Sequence, residues 1–136
     1  MNIKDQVSTI MKTTLITVSE SDGIDKIREL FDTYQFHHLP VVQYKTLVGL
    51  ISKSDINFLL DPSRVEIENI RMAFVEVGNL KAKDIMIRRL GKLEPEDKIE
   101  VAIDIFLNNH FRCLPVVKGE ELVGLVTPND ILRGLV

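Results

Sequence analysis

The feature that most constrains the fold of this chain is an internal repeat with an offset of 75 residues. Between residues 10 and 60, 18 of 51 positions are identical to the residue 75 places later, where chance matching gives about three. The clearest recurrences are Ile10-Met11 with Ile85-Met86, Leu39–Val42 with Leu114–Val117, Leu47–Leu50 with Leu122–Leu125, and Asp55-Ile56 with Asp130-Ile131. The chain is therefore expected to contain two homologous units.

Each copy predicts the order strand, helix, strand, strand, helix. The first helix is indicated by apolar residues at helical spacing, namely Ile24, Ile27, Leu30, Phe31 and Tyr34 in one copy and Ile99, Ala102, Ile103 and Phe106 in the other. The predicted helix starts are Ser21-Asp22 and Pro95-Glu96-Asp97, preceded by extended segments at Leu15–Val18 and Leu90–Leu93. The predicted hairpins are Leu39–Val42 with Leu47–Ile51 and their equivalents, and the second helices run from Ser52 to about Leu60 and from Thr127 to about Leu135.

These elements predict an α/β (α+β) fold of two β-α-β-β-α repeats. We expect the repeats to pack sheet to sheet about a pseudo-twofold axis, because each is too small to leave its sheet face wet. The predicted boundaries are 1–62 for repeat 1, 63–79 for a linker helix and 80–136 for repeat 2.

Composition excludes several function classes. A net charge of −3 with no basic block lacks the footprint of a general nucleic-acid binder. The single cysteine, Cys113, allows no internal disulfide and fits a reducing cytoplasm, where we expect the protein to reside. The N-terminal residues do not read as a signal peptide, and no apolar run is long enough to span a membrane.

The string whose residue types indicate ligand binding is Gly-x-x-(Ser/Thr)-x-x-Asp, which is present twice. It comprises Gly49, Ser52 and Asp55 in one copy and Gly124, Thr127 and Asp130 in the other. A glycine permits close approach to the backbone, a hydroxyl at a helix start suits an anion, and a carboxylate can accept both hydroxyls of a ribose. Helix capping alone also explains the hydroxyl and the carboxylate, although it does not explain the glycine.

These strings, with Asp84-Ile85-Met86 and Thr9-Ile10-Met11 before them, resemble the cystathionine β-synthase (CBS) domain, and two in tandem resemble a Bateman module. The resemblance covers nearly the whole chain and implies a stand-alone regulatory module. It would bind AMP, ADP, ATP or a related adenosyl ligand in clefts between the repeats, with no other cofactor required. The residues implied for site one are Gly49, Ser52, Ser54, Asp55, Arg89, Leu90, Gly91, Phe111 and Arg112. Those implied for site two are Gly124, Thr127, Asn129, Asp130, Thr14, Leu15, Ile16, Phe36 and His37.

The two implied sites are not equivalent. Arg112 offers a permanent charge for phosphate, whereas His37 is largely neutral at pH 7. Phe36 and Phe111 fit a hydrophobic core better than a stacking platform. No metal site is expected, because the adjacent His37 and His38 point to opposite faces of a strand.

No catalytic constellation emerges, so the chain is not expected to be an enzyme. The alternative function is a constitutive protein-interaction scaffold with vestigial clefts. Helix faces carrying Tyr34, Phe58 and Leu59 predict a homodimer. Signalling would require a separate effector protein, and neither a membrane nor nucleic acid is an expected partner.

Overall fold

The computed structural model describes residues 1–61, 63 and 77–136. Among these residues the elements are a 3₁₀ turn (Val7–Thr9), α1 (Ile24–Thr33), β1 (His38–Gln43), β2 (Thr46–Ser52), α2 (Lys53–Leu59), α3 (Ala82–Ile85), α4 (Ile99–Asn108), β3 (Leu114–Lys118), β4 (Glu121–Val126) and α5 (Pro128–Gly134). The mixed α/β class predicted from the repeat is confirmed. The linker helix predicted for 63–79 falls mostly on residues outside the described ones.

The chain divides into two compact units, and each combines parts of both sequence repeats. Unit one consists of Met1–Ile16, Tyr44–Leu47 and Arg89–Val136, and unit two of Thr17–Gln43 and Val48–Arg88. The first residues of each repeat thus belong with the body of the other repeat. We call residues 1–16 and 77–88 the lead segments.

The two lead segments are attached in the same way. In unit one Lys12 pairs antiparallel with Leu125, and in unit two Ile87 pairs antiparallel with Leu50. A second equivalent pair of bridges joins Gln6 to Lys98 and Gly23 to Lys81. Every equivalent pair of residues is 75 positions apart, so the repeat seen in the sequence is also a repeat of contacts.

Unit one has an aliphatic core to which its lead segment contributes. The core residues are Val7, Leu93, Ile99, Ala102, Leu114, Val116, Val126 and Ile131. An ion pair of 2.8 Å between Lys4 Nζ and Glu100 Oε2 also joins the lead segment to α4. The hydrogen bond from Lys4 lowers the pKa of Glu100. Strands β3 and β4 pair antiparallel from Leu114 opposite Val126 to Lys118 opposite Glu121, with one register shift after Val116.

Unit two places the apolar face of α1 inside. Ile24, Ile27 and Phe31 are at most 2% exposed, as their helical spacing predicted. The helix begins at Ile24, later than the predicted start, because Asp22 caps a turn ahead of it by accepting from Ser19 N at 2.8 Å. The equivalent turn in unit one, with Glu94 N donating to Asp97 Oδ2 at 2.7 Å, likewise delays α4 to Ile99.

The extended segments predicted before the first helices are reduced to single parallel bridges. Val18 pairs with Val41, and Leu93 pairs with Val116. To extend each ladder towards the N-terminus, the backbone N–H of the residue before Val41 or Val116 would have to donate the next hydrogen bond. These residues are Pro40 and Pro115, respectively. Proline has no N–H to donate, so neither ladder continues in that direction.

Both predicted hairpins are present, and their turns differ in chemistry. Tyr44 and Lys45 both have positive φ, 50° and 70°. This conformation is the one that twisted two-residue hairpins favour, usually with Asn-Gly. In the second hairpin Gly119, with φ 67°, takes the left-handed position without a steric penalty. The first hairpin therefore carries backbone strain that the second avoids.

Candidate functional site

In the first string, Ser52 caps the start of α2. Its side chain accepts a hydrogen bond from Asp55 N at 3.0 Å, while the Asp55 side chain is exposed. His37, which the resemblance assigned to the other string, lies beside this helix start, because its carbonyl accepts from Lys53 N at 2.8 Å. The helix-capping explanation of Ser52 is thus confirmed.

In the second string, Thr127 and Asp130 form a capping box at the start of α5, with Pro128 in the first turn. Asp130 Oδ2 accepts from Thr127 N at 2.8 Å and from Thr127 Oγ1 at 3.0 Å. Unlike Asp55, the Asp130 side chain is only 3% exposed. Local capping accounts for both hydroxyls, and the burial of the carboxylate distinguishes the second string from the first.

The glycines of the two strings are explained by packing. A Cβ built on Gly49 would lie 2.7 Å from Met86 Cγ, and one on Gly124 would lie 2.9 Å from Met11 Cγ. Both methionines belong to the lead segments, so the Ile-Met string and the glycine string form one contact in each unit. Capping left these glycines without an explanation, and close contact with a side chain of the other repeat supplies it.

The predicted site residues are divided between the two units. Unit one holds Thr14, Leu15, Ile16, Arg89, Leu90, Gly91, Phe111, Arg112, Gly124, Thr127, Asn129 and Asp130, and unit two holds Phe36, His37, Gly49, Ser52, Ser54 and Asp55. Within unit one, a Cβ on Gly91 would meet the Phe111 ring at 3.0 Å. Arg89 and Arg112 are exposed. The grouping of these residues into two ligand sites stays a prediction.

The two phenylalanines pack as apolar residues. Phe111 lies against the core of unit one. Phe36 contacts the rings of Phe31 and Tyr34, at centroid distances of 5.5 and 5.7 Å. These contacts agree with the prediction that both rings contribute to packing.

Two cationic side chains lie beside Asp130 that were not predicted from the sequence. Arg133 Nη2 donates to Asp130 Oδ1, and Lys12 Nζ lies 3.6 Å from the same oxygen. Arg133 is one helical turn after Asp130, so its proximity could have been foreseen. Lys12 is separated from Asp130 by more than one hundred residues. Its proximity follows only from the packing of the first lead segment against the body of the second repeat.

The same carboxylate affects a buried thiol. Cys113 is 3% exposed, and burial raises its pKa to about 12, with the Asp130 carboxylate adding to the rise and the Lys12 ammonium opposing it. A protonated thiol is a poor nucleophile and a poor metal ligand. Within the part of the chain that the structure describes, no group of three or more His, Cys, Asp or Glu residues could hold a metal ion.

A cavity of about 590 Å³ lies in unit two, apart from both strings. Its described lining comes from α1, from α2 and the residue after it, and from the start of the second lead segment: Ile24, Asp25, Arg28, Asp32, Asn57, Leu60, Val77 and Gly78. None of the predicted site residues is among these. Among the helices that are described, none is both long and apolar enough to cross a membrane.

The fold and the doubled string define a tandem-repeat α/β module. A family model for the CBS domain matches residues 7–61 and 82–136. The chain therefore belongs to the CBS domain family, with two copies of the domain.

Curated relatives share this module. A Methanocaldococcus jannaschii protein, MJ1426, is 30% identical over 159 residues, covering all of this chain and 92% of that protein. Inosine-5'-monophosphate dehydrogenase of Korarchaeum cryptofilum is 31% identical over 118 residues, covering 86% of this chain and 21% of the enzyme. The chain thus spans about a fifth of that enzyme.

Solved structures show the same fold. The crystal structure of CBSX2 in complex with AMP, a protein of Arabidopsis thaliana, has a TM-score of 0.79 and 24% identity, and the match covers 96% of each chain. The mixed α/β fold predicted from the repeat matches that of this CBS-pair structure.

Proposed function

We propose that this protein is a regulatory sensor of adenine nucleotides, which binds AMP, ADP, ATP or a related adenosyl ligand in clefts between its two CBS repeats. In this proposal Asp55 and Asp130 accept the ribose hydroxyls, and Ser52 and Thr127 lie beside the phosphates. The AMP complex of the structural neighbour CBSX2 supports the choice of ligand class.

One observation carries the proposal. In each unit the string of one repeat is paired with the lead segment of the other repeat, as Lys12 N donates to Leu125 O at 2.9 Å and Leu50 N donates to Ile87 O at 3.0 Å. Residues of both repeats that the family resemblance assigns to ligands therefore occur in one unit, for example Thr14 and Asp130. A ligand that contacts both would couple the two repeats.

Thermal unfolding with AMP, ADP, ATP and GMP tests the ligand class. A ligand at 100 times its Kd adds roughly 2.7 kcal/mol to the free energy of unfolding. Adenine nucleotides are expected to raise the Tm of ligand-free protein more than GMP does. If none of the four at millimolar concentration shifts the Tm, the sensor function is wrong.

Asp55→Asn separates ligand binding from helix capping most cleanly. The Asp55 side chain is exposed and the cap uses the Ser52 hydroxyl, so the variant should lose little stability, about 0.5 kcal/mol or less. Loss of a charged acceptor should weaken nucleotide binding at that site by at least about tenfold. Asp104→Asn, an exposed aspartate on α4, is the matched control. Unchanged affinity in calorimetry would remove Asp55 from the site.

A constitutive scaffold is the second candidate. It is favoured by the contacts of Asp130, because Thr127, Lys12 and Arg133 already occupy this carboxylate. The absence of a nucleotide shift in the thermal assay, with retained capture of a defined effector protein, would support the scaffold instead.

The proposed assembly is a cytoplasmic homodimer that acts on a separate effector. Tyr34 and Phe58 are 46% and 61% exposed, and such large apolar side chains suit a contact with a second copy. Sedimentation equilibrium at micromolar concentration is expected to give about twice the 15.5 kDa chain mass. A Tyr34→Ser variant that leaves this mass unchanged would place the dimer contact elsewhere.

A further inference from the structure

The surroundings of the two string aspartates differ in charge. Asp130 contacts Arg133 and Lys12, whose side chains are 63% and 50% exposed. The residues equivalent to Arg133 and Lys12 in the repeat, each 75 positions away, are Phe58 and Ile87, which are 61% and 48% exposed. Two cations in unit one thus correspond to two apolar residues in unit two.

Most of the acceptor capacity of Asp130 is used, by three hydrogen bonds and one ion pair. A carboxylate offers about four lone-pair positions. The two lone-pair positions on Oδ2 accept hydrogen bonds from Thr127 N and Thr127 Oγ1. On Oδ1, one position accepts a hydrogen bond from Arg133 Nη2, and Lys12 Nζ lies 3.6 Å away. A ribose diol can reach this carboxylate only if it displaces some of these donors.

The cations are the donors that can leave. Thr127 N and Oγ1 are fixed by the capping box at the start of α5. Arg133 and Lys12 are held only by their long, half-exposed side chains, which can rotate away. Once displaced they have lost their anionic partner, and a phosphate group on the incoming ligand would replace it. A nucleoside offers the ribose without that replacement.

We infer that Lys12 and Arg133 make the site at Asp130 selective for phosphorylated ligands, through exchange of their carboxylate partner for phosphate. This inference rests on the proposed nucleotide binding. Adenosine must break the contacts of Asp130 without compensation, whereas AMP or ATP compensates both cations. The site at Asp55 has no such requirement, since Phe58 and Ile87 stand at the equivalent positions.

The test compares adenosine with ATP by isothermal titration calorimetry, in Asp55→Asn protein so that the heat reports the site at Asp130. Lys12→Ile and Arg133→Phe install the residues of the other repeat. Lys118→Ile, which removes an exposed lysine from the end of β3, controls for the loss of one charge.

In the parent and the Lys118→Ile control, ATP should bind at least about tenfold more tightly than adenosine, because hydrogen bonds to charged groups are the strongest in proteins. In Lys12→Ile and Arg133→Phe the ratio should fall to within about threefold, and adenosine should bind more tightly than to the parent. A gain in affinity for an uncharged ligand is not expected from general electrostatics.

The outcomes separate this inference from the proposed function. If adenosine and ATP bind but the ratio and the adenosine affinity are the same in all variants, the inference is overturned and nucleotide binding stands. If neither ligand binds to wild-type protein or to any variant, both fail. Arg133→Gln and Lys12→Gln repeat the test with smaller changes in packing.

Discussion

The contact between glycine and methionine in each unit leads to a prediction that can be worked out atom by atom. A Cβ on Gly124 would lie 2.5 Å from Met11 Sδ, 2.9 Å from Met11 Cγ and 3.2 Å from Lys12 O. Gly124→Ala therefore forces Met11 to move, which costs about 1–3 kcal/mol as overpacking. The lower entropy of the unfolded alanine chain returns about 0.4–1 kcal/mol. We expect a net loss of about 1–2 kcal/mol, or roughly 3–10 °C in Tm.

Truncation of the methionine provides the rescue. Met11→Ala removes Sδ and Cγ, so the double variant with Gly124→Ala should be more stable than the sum of the single losses by about 1–2 kcal/mol. In unit two, Met86 Cβ itself lies 2.9 Å from the position of a Cβ on Gly49. Since Met86→Ala keeps that atom, its rescue of Gly49→Ala should be smaller.

Urea unfolding of the six variants measures these differences, with Gly78→Ala as the control. A Cβ on Gly78 meets no atom within 4 Å, and its helical backbone should gain up to about 1 kcal/mol from alanine. Additive losses in the Gly124/Met11 cycle would refute the packing explanation. A rescue at Gly49 equal to that at Gly124 would refute the atomic reasoning.

Three further predictions concern pH, a thiol and a turn. Burial raises the pKa of Asp22, but hydrogen bonds from Ser19 and Lys26 outweigh this effect and lower the pKa below 3.8. The ionised Asp22 therefore stabilises the fold above about pH 4. In urea titrations at lower pH, the stability of the wild type should fall more steeply than that of Asp22→Asn. Cys113 should resist a thiol reagent at pH 8 until urea unfolds the chain, because burial raises its pKa to about 12. Replacing Tyr44-Lys45 by Asn-Gly should raise stability by about 1 kcal/mol in the same unfolding assay, since both residues have positive φ.

Each of these has a result that contradicts it. Parallel pH profiles for wild type and Asp22→Asn would mean that the carboxylate does not stabilise the folded state. Native Cys113 that reacts as fast as the unfolded thiol would mean that it is accessible. A turn variant with lower stability would mean that the Tyr44 or Lys45 side chain makes favourable contacts that outweigh the backbone strain.

The elements within each repeat could be predicted because local patterns determine them. The spacing of Ile24, Ile27 and Phe31 specified the buried face of α1, and Ser52 and Thr127 marked the starts of α2 and α5. The short helical turns at Val7–Thr9 and Ala82–Ile85 were not predicted, since they are too short to show a periodicity. The loss of the first strands was also missed, although Pro40 and Pro115 were visible and explain it.

The exchange of lead segments has no local signal in the sequence, because it depends on contacts between distant parts of the chain. Only the family resemblance, which joined Thr14, Leu15 and Ile16 to Asp130, pointed to it. Lys12 and Asp130 carry no local signal of their proximity, and neither do Met11 and Gly124. The repeat does contain a usable hint: where aligned residues differ in charge, as Lys12 and Ile87 do, the two copies are expected to differ in ligand. Asp55 and Asp130 occupy equivalent positions of the repeat, and their unequal burial was not foreseen.

The exchange also suggests how such a chain arose. In a fragment that contains one repeat, the lead segment would lack the body against which it packs, and the body would lack the lead segment that packs against it. Two copies of the fragment could form these contacts only by exchanging their lead segments. The product is a symmetric dimer that unfolds when it dissociates. Gene duplication and fusion would then have replaced association at cellular concentration by an intramolecular encounter, at an effective concentration of about millimolar. The present chain is, in this sense, a swapped dimer made permanent by its own connecting residues.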